Sequence, residues 1–430
     1  MAENVMLKSP TKVELTITEK CNHRCVHCYN AWRNSSSGRG GMTDEAFERI
    51  MEQLVKNGVL YATITGGEPL IDPNLMFRFL DAFRKNGIGA GLNTNLTLMT
   101  EAVADRLANE YGWENTILTS LPGFTPQECD AVTQTPGSYE RICRGIDVCV
   151  SRGIPVGVNV VVTRANVGRL DELRPFLDRR RVSTFALTKV VPPAYGADDD
   201  RFSLDADDLN KIAGFLREVR NRYGISATSL CGMPLCALND PNDAELFSSK
   251  CAAGVVTCSV NGITGSVSPC AHNEQSYGNV FEEELADIWE RMSEWRTGRR
   301  MRGECAECAA LPACGGECRL ACERLGDRMK YRLDGNFRLP SRKEERKAGF
   351  DMNAEYSFNS YATLRKEDFG AVASLGVNEF YAAEPAYRLL LALKEKGTFG
   401  KEYISEICEI NDALIKILGI WADAGILVKR

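Results

Sequence analysis

Apolar residues in the first half of the chain form short runs that alternate with amphipathic stretches. The runs are rich in β-branched residues, which is typical of buried strands. Six such strands are predicted at Val13–Thr18, Tyr61–Thr65, Ile88–Asn93, Thr116–Ser120, Pro155–Val162 and Thr184–Val190. Between them, stretches such as Asp44–Lys56 and Leu75–Lys85 repeat apolar residues at helical spacing. This alternation predicts an α/β fold with a parallel sheet over residues 1–225, either barrel-like or doubly wound.

The alternation ends near residue 226, and three further regions follow. Residues 226–325 hold ten of the seventeen cysteines with little regular pattern, which predicts an irregular, metal-organised domain without a large apolar core. Residues 326–355 are rich in Lys and Arg and are interpreted as a linker. Residues 356–430 contain three strand-like segments, three helical segments and a last short strand. That order is typical of a small winged-helix domain.

Charge and cysteine content narrow the class of protein. The 430 residues carry a net charge of −6, which argues against nucleic acid as the main partner. No run of about 18 apolar residues predicts a membrane span, and no signal-peptide pattern is seen, so we expect a cytoplasmic protein. Clustered thiols in a reducing compartment usually bind metal. With only three histidines in the chain, iron–sulfur clusters are favoured over mixed Cys/His zinc sites.

The first motif is a group of three cysteines directly after the first predicted strand. Cys21, Cys25 and Cys28 have the spacing C-x3-C-x2-C. Soft thiolates select iron–sulfur clusters, zinc or copper(I). Three thiolates on one loop can hold three corners of a cubane and leave the fourth iron open to an outside ligand. The alternative is a structural zinc site that takes His23 or His27 as its fourth ligand.

The second motif, Gly66-Gly67-Glu68-Pro69, follows the second predicted strand. The glycines permit close backbone approach to a ligand, and Glu68 can accept a charge-assisted hydrogen bond from an ammonium group. In barrel enzymes, the catalytic residues lie in the loops after the carboxyl ends of the strands, so we expect both motifs at the same face of the barrel. Together they resemble the radical S-adenosylmethionine (SAM) superfamily, which implies a partial (β/α)6 barrel over roughly residues 10–225.

The resemblance implies a 4Fe–4S cluster on the three cysteines and bound S-adenosylmethionine. Reductive cleavage of the cofactor would give a 5′-deoxyadenosyl radical that takes a hydrogen atom from the substrate. His27 stands where the family usually has an aromatic residue. The residues implied to contact the cofactor are His27, Gly66, Gly67, Glu68, Pro69, Asn93, Asn95, Ser120 and Val161. No catalytic acid, base or radical quencher is identified by the sequence.

A second set of cysteines has the order C-x6-C from Cys251, G-x4-C from Gly265 and C-x2-C-x5-C-x3-C from Cys305. This order resembles the SPASM domain of radical maturases. Eight thiolates are enough to saturate two 4Fe–4S clusters. By resemblance, the first auxiliary cluster takes Cys251, Cys258, Cys270 and Cys318, and the second takes Cys305, Cys308, Cys314 and Cys322. The gap before Cys322 is short, so Cys231, Cys236 and Cys408 are possible substitutes, or one auxiliary cluster keeps an open iron. Three other cysteines are expected to be small buried residues: Cys129, Cys143 and Cys149.

Several short features stand out in the last region: Leu364-Arg365, Phe380-Tyr381, Pro385-Ala386-Tyr387 at the start of a helix and Ala424-Gly425-Ile426-Leu427. They resemble the precursor-recognition element of ribosomal peptide pathways, which is similar to the small chaperone of pyrroloquinoline quinone synthesis. Such elements add a leader peptide as an extra strand at a sheet edge. Glu402, Glu406 and Glu409 disfavour a DNA-binding role for its helices.

Together these features predict a radical maturase that forms a thioether or carbon–carbon cross-link in a precursor peptide. An electron donor such as flavodoxin or ferredoxin is expected as a second partner. Backbone excision, sulfatase-maturating oxidation of Cys or Ser, and a non-catalytic metal-binding regulator of DNA are the alternatives.

Overall fold

A computed structural model describes residues 6–30, 41–113, 115–192, 202–247, 250–297, 299–301, 303–326, 350–376 and 378–430. Its first part alternates strands and helices as the sequence predicts. The strands are β1 (Lys12–Thr16), β2 (Tyr61–Thr65), β3 (Gly89–Asn93), β4 (Ile117–Ser120), β5 (Val156–Val162), β6 (Thr184–Lys189) and β7 (Ser226–Thr228). The helices are α1 (Asp44–Lys56), α2 (Pro73–Lys85), α3 (Glu101–Tyr111), α4 (Pro126–Thr133), α5 (Ser138–Val150), α6 (Arg174–Arg179) and α7 (Ala206–Tyr223).

Local capping explains where the first two helices begin. The Thr43 side chain accepts a hydrogen bond from the Ala46 N–H at the start of α1, which has the predicted bounds. The Asp72 side chain accepts from Leu75, and Pro73 occupies the first turn of α2. Because proline is well suited to a first turn, α2 begins two residues before its predicted start.

The strands form a ten-stranded sheet in the order β10-β9-β8-β1-β2-β3-β4-β5-β6-β7. All neighbours from β8 through β1 to β7 are parallel, so the predicted partial barrel is confirmed and extended on both sides. The addition of β8 to the β1 edge is not evident from the sequence pattern. β8 buries Cys258 and Val260 in the same core as β1.

The region after residue 226 is more regular than predicted. Trp289 and Trp295 are fully buried there, and the Trp289 indole N–H donates to the Leu7 carbonyl at 2.9 Å. The expectation that this region lacks a large apolar core is therefore wrong, because it shares the core of the barrel. Its elements are β8 (Thr257–Asn261), β9 (Ser266–Ser268), β10 (Gly278–Asn279), α8 (Leu285–Arg291), α9 (Ser293–Arg296), α10 (Gly303–Ala306), α11 (Leu311–Cys314) and α12 (Arg319–Leu325).

The C-terminal region has a small core of its own and two three-stranded sheets, β15-β11-β16 and β12-β13-β14. The expected order of strands and helices is confirmed, with β11 and β15 as additions. The elements are β11 (Tyr356–Phe358), β12 (Thr363–Glu367), β13 (Gly370–Leu375), β14 (Asn378–Ala383), α13 (Glu384–Lys396), β15 (Thr398–Phe399), α14 (Lys401–Ile407), α15 (Asp412–Asp423) and β16 (Leu427–Lys429). Most of the predicted linker, residues 327–349, lies outside the described residues.

The sheet β12-β13-β14 is attached to the barrel by Arg365. Its guanidinium donates to the Ser9 carbonyl at 2.9 Å and to the Pro10 carbonyl at 2.8 Å. Glu367, which is fully buried, accepts from the same guanidinium at 2.6 Å. Residues 9 and 10 precede β1, so this sheet lies at the amino ends of the barrel strands, opposite the loops that carry the first two motifs.

Candidate metal centres and cofactor site

The loop after β1 carries Cys21, Cys25 and Cys28. The Cys28 N–H donates to the Cys25 carbonyl at 3.2 Å, which closes a turn and brings the last two cysteines to the same end of the loop. The backbone N–H groups of Arg24 and Val26 donate to two carbonyls at the end of α4, at 2.8 and 2.9 Å. The loop is therefore held in place by backbone bonds, with Cys21 exposed and the other two thiols half-buried.

Gly66 and Gly67 are required because the loop after β2 lies directly against the cysteine loop. A Cβ on Gly67 would lie 2.0 Å from the Lys20 carbonyl oxygen, and one on Gly66 would lie 2.4 Å from that of Thr18. The N–H of Gly67 donates to the Thr18 carbonyl at 2.6 Å. Gly66 also has a positive φ of 148°, which favours glycine. The glycines thus join two loops, a role that the sequence motif alone does not reveal.

Glu68 is almost completely buried, and its carboxylate is already hydrogen-bonded within the protein. One oxygen accepts from the Thr94 hydroxyl at 2.5 Å and the Leu70 N–H at 2.9 Å, and the other accepts from the Asn95 N–H at 2.7 Å. Burial raises the pKa of this carboxyl group, and these hydrogen bonds oppose the rise. In this arrangement Glu68 positions the ends of β2 and β3 relative to each other.

The same network reaches the cysteine loop. The Asn95 amide donates to the Asn22 side-chain oxygen at 2.9 Å, and the Asn22 amide donates to the Thr97 hydroxyl at 2.8 Å. Asn22 lies between the first two cysteines of the motif. The loops after β1, β2 and β3 therefore form one hydrogen-bonded unit.

The other residues predicted to contact a cofactor lie around this unit. Asn93, Ser120 and Val161 lie at the carboxyl ends of β3, β4 and β5, which are neighbours in the sheet. His27 is half-buried in the cysteine loop, and Pro69 is buried at the start of a short 3-10 helix. The structure thus brings the predicted residues to one edge of the barrel.

Tyr29 and His272 form a contact that sequence reasoning missed. The two rings stack with centroids 4.4 Å apart. Burial, followed by the charge of Glu14, raises the pKa of Tyr29. Burial, followed by the charge of Arg324, lowers the pKa of His272 to about 4, so its imidazole is neutral at pH 7. An aromatic residue directly after the last cysteine of the motif was the only available signal.

A first group of later thiols surrounds Cys251. Burial raises the pKa of Cys318, with further contributions from the thiols of Cys231 and Cys251. Burial, Glu14 and Cys251 raise the pKa of Cys270 to about 12. The structure therefore brings together three of the four thiols predicted for the first auxiliary cluster and places Cys231 beside them.

Two of the predicted auxiliary ligands have different surroundings. Cys258 is fully buried in β8, where burial and the charge of Glu14 raise its pKa. Cys322 lies in α12 and donates a hydrogen bond to Glu317 at 3.7 Å. Glu317 itself forms a buried ion pair with Lys189 at the end of β6.

A second group of thiols lies in α10, in α11 and in the turn between them. The Cys308 N–H donates to the Cys305 carbonyl at 3.2 Å, and the Cys314 N–H donates to the Ala310 carbonyl at 2.8 Å. These two turns place three thiols of the C-x2-C-x5-C spacing on one compact segment, as the resemblance implies.

The remaining cysteines have the environments of packing residues. Cys129, Cys143 and Cys149 are buried in the barrel half, as expected, and burial raises the pKa of each thiol. Cys408, which was a possible substitute ligand, donates to the carbonyl of Ile404 in α14. None of the seventeen cysteines, all in the described part of the chain, forms a disulfide.

The donor chemistry of these sites fits iron–sulfur clusters. Within the described residues, no three Cys, His, Asp or Glu side chains could hold a single metal ion. Sulfur ligands of one tetrahedral zinc would lie about 3.8 Å apart, whereas the corners of a cubane separate its ligands more widely. Cys21, Cys25 and Cys28 would hold an open cluster, with the cofactor bound along the edge lined by residues 66–69 and 93–95. When bound, the cluster and S-adenosylmethionine would together supply one-electron reductive cleavage of the sulfonium.

Comparison with known proteins agrees with this geometry. The profile of the radical SAM superfamily matches residues 15–174, and that of an iron–sulfur cluster-binding domain, SPASM, matches residues 251–309. An AdoMet-dependent heme synthase of Methanosarcina barkeri is 24% identical over 72% of this chain and 92% of its own length. Mycofactocin maturase MftC of Mycobacterium tuberculosis is 28% identical over 73% of this chain and 80% of its own length.

Two solved structures share the fold. Native anSMEcpe with bound AdoMet superposes with a TM-score of 0.58 at 17% identity, covering 75% of this chain and 93% of that one. SuiB of Streptococcus suis, bound to precursor peptide SuiA, superposes with a TM-score of 0.57 at 19% identity and covers 76% of both chains.

Fold and site therefore define an enzyme built on a partial α/β barrel, with an open cysteine site at the barrel edge and further cysteine sites after it. The chain contains a radical SAM domain at residues 15–174 and a SPASM iron–sulfur domain at residues 251–309. None of the helices in the described part of the chain is long and apolar enough to cross a membrane.

Proposed function

We propose that this chain is a radical SAM maturase that binds a ribosomally made precursor peptide and modifies it by hydrogen-atom abstraction. Cys21, Cys25 and Cys28 hold the cluster that generates the radical, and the auxiliary clusters take up the electron released when the product forms. The product is a thioether or carbon–carbon cross-link. A small electron donor such as flavodoxin or ferredoxin reduces the first cluster.

The free edge of β14 is the observation that carries the proposal. β14 is the last strand of the sheet β12-β13-β14, and its outer edge pairs with no strand among the described residues. An unpaired edge of this kind can take an extended peptide as an additional strand. Because Arg365 attaches the same sheet to the barrel, a peptide bound at β14 is fixed relative to the cysteine sites.

The surface of the C-terminal region supports the same role. Eleven large apolar side chains are exposed in the described part of the chain, and six of them lie between residues 361 and 428. They are Tyr361, Tyr381, Ile407, Ile417, Ile420 and Val428. Contiguous patches of exposed apolar residues mark surfaces that bind a partner, and we propose that these side chains contribute to such a patch. The acidic residues Glu402, Glu406 and Glu409 disfavour nucleic acid as that partner.

Relatives with peptide substrates are consistent with this reading. MftC is named as a maturase, and SuiB has been solved with its precursor peptide. We expect the substrate of this chain to be a peptide of the same general kind.

Coexpression with each short open reading frame beside the gene tests the proposal. Mass spectrometry of the peptide should show the loss of two hydrogens for each cross-link. The loss of a residue-sized mass would instead indicate backbone excision, and oxidation of a single Cys or Ser would indicate the sulfatase-maturating type of reaction. A Cys21/Cys25/Cys28→Ala triple variant, coexpressed in the same way, is the matched control and should leave the peptide unmodified.

Tetrapyrrole chemistry is a second candidate, because two of the similar proteins are named as an AdoMet-dependent heme synthase and a pre-heme d1 synthase. Spectroscopic detection of a new tetrapyrrole after incubation of the enzyme with porphyrins would favour it. If no flanking peptide is modified and a porphyrin is, the maturase proposal fails.

A further inference from the structure

Three thiols of the second auxiliary site lie on one short segment, and a cubane cluster has four irons to ligate. Cys305, Cys308 and Cys314 occupy the turns around α10 and α11. The sequence pattern offers Cys322 as the fourth ligand, eight residues further along. The contacts made by Cys322 and by residues 229–238 favour a thiol other than Cys322 as the fourth ligand.

The residue 229–238 segment lies directly against the second auxiliary site. The Cys314 thiol donates to the Met233 carbonyl at 3.6 Å. Gly232 packs against the chain that follows α11, since a Cβ there would lie 2.9–3.1 Å from the backbone of Glu317 and Cys318. The segment then turns, with the Ala237 N–H donating to the Pro234 carbonyl at 3.0 Å. Cys236 lies in this turn, three residues after the contact with Cys314.

Cys236 also interacts electrostatically with all three thiols of the segment. Burial raises its pKa to about 12, and the charges of Cys314, Cys305 and Cys308 contribute to the rise. Cys236 therefore lies beside the segment that carries the other three thiols, in the turn that follows the Met233 carbonyl contacted by the Cys314 thiol.

Cys322, in contrast, donates to Glu317, which pairs with Lys189. Lys189 lies beside the first group of thiols, because its carbonyl accepts from Cys231 at 3.6 Å. The Cys322 thiol is therefore hydrogen-bonded to the Lys189–Glu317 ion pair, which lies beside the first group of thiols.

We propose that Cys236 is the fourth thiolate ligand of the second auxiliary 4Fe–4S cluster, together with Cys305, Cys308 and Cys314. The ligand comes from the segment that links the barrel to the SPASM domain, which explains why it precedes the cysteine-rich motif. A cluster with four thiolate ligands has no open iron, so it serves electron transfer and does not bind substrate directly.

The test uses the full chain in the Cys21/Cys25/Cys28→Ala background, so that the remaining iron reports only the auxiliary sites. Cys236→Ala and Cys322→Ala are compared after anaerobic reconstitution, with Cys149→Ala as a buried cysteine far along the chain from both groups. Iron content and the electron paramagnetic resonance spectrum of the reduced protein are measured with and without added imidazole.

For Cys236→Ala we expect one of two results. Iron falls from about eight to about four atoms per chain, or the iron is kept and one cluster signal becomes sensitive to imidazole at the opened iron. Cys322→Ala and Cys149→Ala should match the parent. A Cys236→Ala protein with unchanged iron and an unchanged, imidazole-insensitive spectrum would overturn the proposal.

If Cys236→Ala loses all of its iron, Cys236→Ser decides the question. The serine oxygen can replace the thiolate, so we expect both clusters to be retained and the signal of one to shift. A spectrum identical to that of the parent would also overturn the assignment.

Discussion

The rings of Tyr29 and His272 stack 4.4 Å apart and connect the loop of the first cysteine site to the loop that follows Cys270. Tyr29 directly follows Cys28, and His272 lies two residues after Cys270. The stack is therefore a direct packing contact between the loop that carries Cys28 and the loop that follows Cys270.

Loss of this stack should destabilise the protein. We expect Tyr29→Ala to lower the free energy of unfolding by about 2 kcal/mol, because a large half-buried aromatic ring and its stacking contact with His272 are removed. Tyr29→Phe keeps the ring and loses only the hydroxyl, so its cost should be about 1 kcal/mol. Urea unfolding under anaerobic conditions measures both. Equal losses for the two variants would show that the hydroxyl, and not the stack, is the important feature.

The three cysteines after β1 should be needed for cofactor cleavage but not for iron binding at the auxiliary sites. Replacing Cys21, Cys25 and Cys28 together by Ala should abolish 5′-deoxyadenosine formation, while iron in the auxiliary sites remains. Chromatography of the reaction products and iron analysis of the same sample check this. Continued cleavage of the cofactor by the triple variant would refute the assignment.

We expect Glu68 to support cofactor binding by holding the ends of β2 and β3 in place. Its two oxygens accept three hydrogen bonds from the ends of β2 and β3. In Glu68→Gln only one side-chain oxygen remains as an acceptor. An unsatisfied buried group costs about 1–3 kcal/mol, so affinity for S-adenosylmethionine should fall by roughly tenfold or more in Glu68→Gln. Equilibrium dialysis measures the affinity. Glu101→Gln, on an exposed carboxylate of α3, is the control and should bind normally.

Arg365 should hold the C-terminal sheet on the barrel. Arg365→Met leaves Glu367 buried without its charge partner, a change that typically costs about 3–5 kcal/mol. We therefore expect limited proteolysis to release the C-terminal region faster from this variant. Arg388→Met removes an exposed ion pair with Glu384, which is screened by solvent and should have little effect on stability. Identical cleavage rates in the two variants would contradict this docking role.

Stability should decline as pH falls below 6.5, in part because of His23. Burial, with the positive charge of Arg141, lowers the pKa of this buried imidazole to about 4. Its neutral form is favoured in the folded state, so the unfolded state takes up the proton first as the pH falls from 6.5 to 4. The loss approaches about 3 kcal/mol at the lower limit. His23→Gln should show a flatter dependence of unfolding free energy between pH 7 and pH 4.5, and an unchanged slope would contradict this account.

The parallel strands and both motifs of the barrel were predictable because each depends on short-range patterns. Strand β2 and helix α1 have the predicted bounds, since period and capping residues are local properties. The position of Glu68 after β2 was equally clear. Its partners were not, because Thr94 and Asn95 come from another strand and meet Glu68 only when β2 and β3 pair.

Sequence by itself determined the class of chemistry in this protein, because soft thiolates at C-x3-C-x2-C spacing after a strand, with GGEP after the next, suit few other centres. Tertiary structure decided how the later thiols are grouped, where Tyr29 meets His272 and where Arg365 attaches the last sheet. These relationships join residues far apart in the chain, which only the packing of whole strands and loops against one another brings together. The physical reason is that ligand spacing within a loop is set by covalent geometry, whereas contacts between loops depend on the whole core.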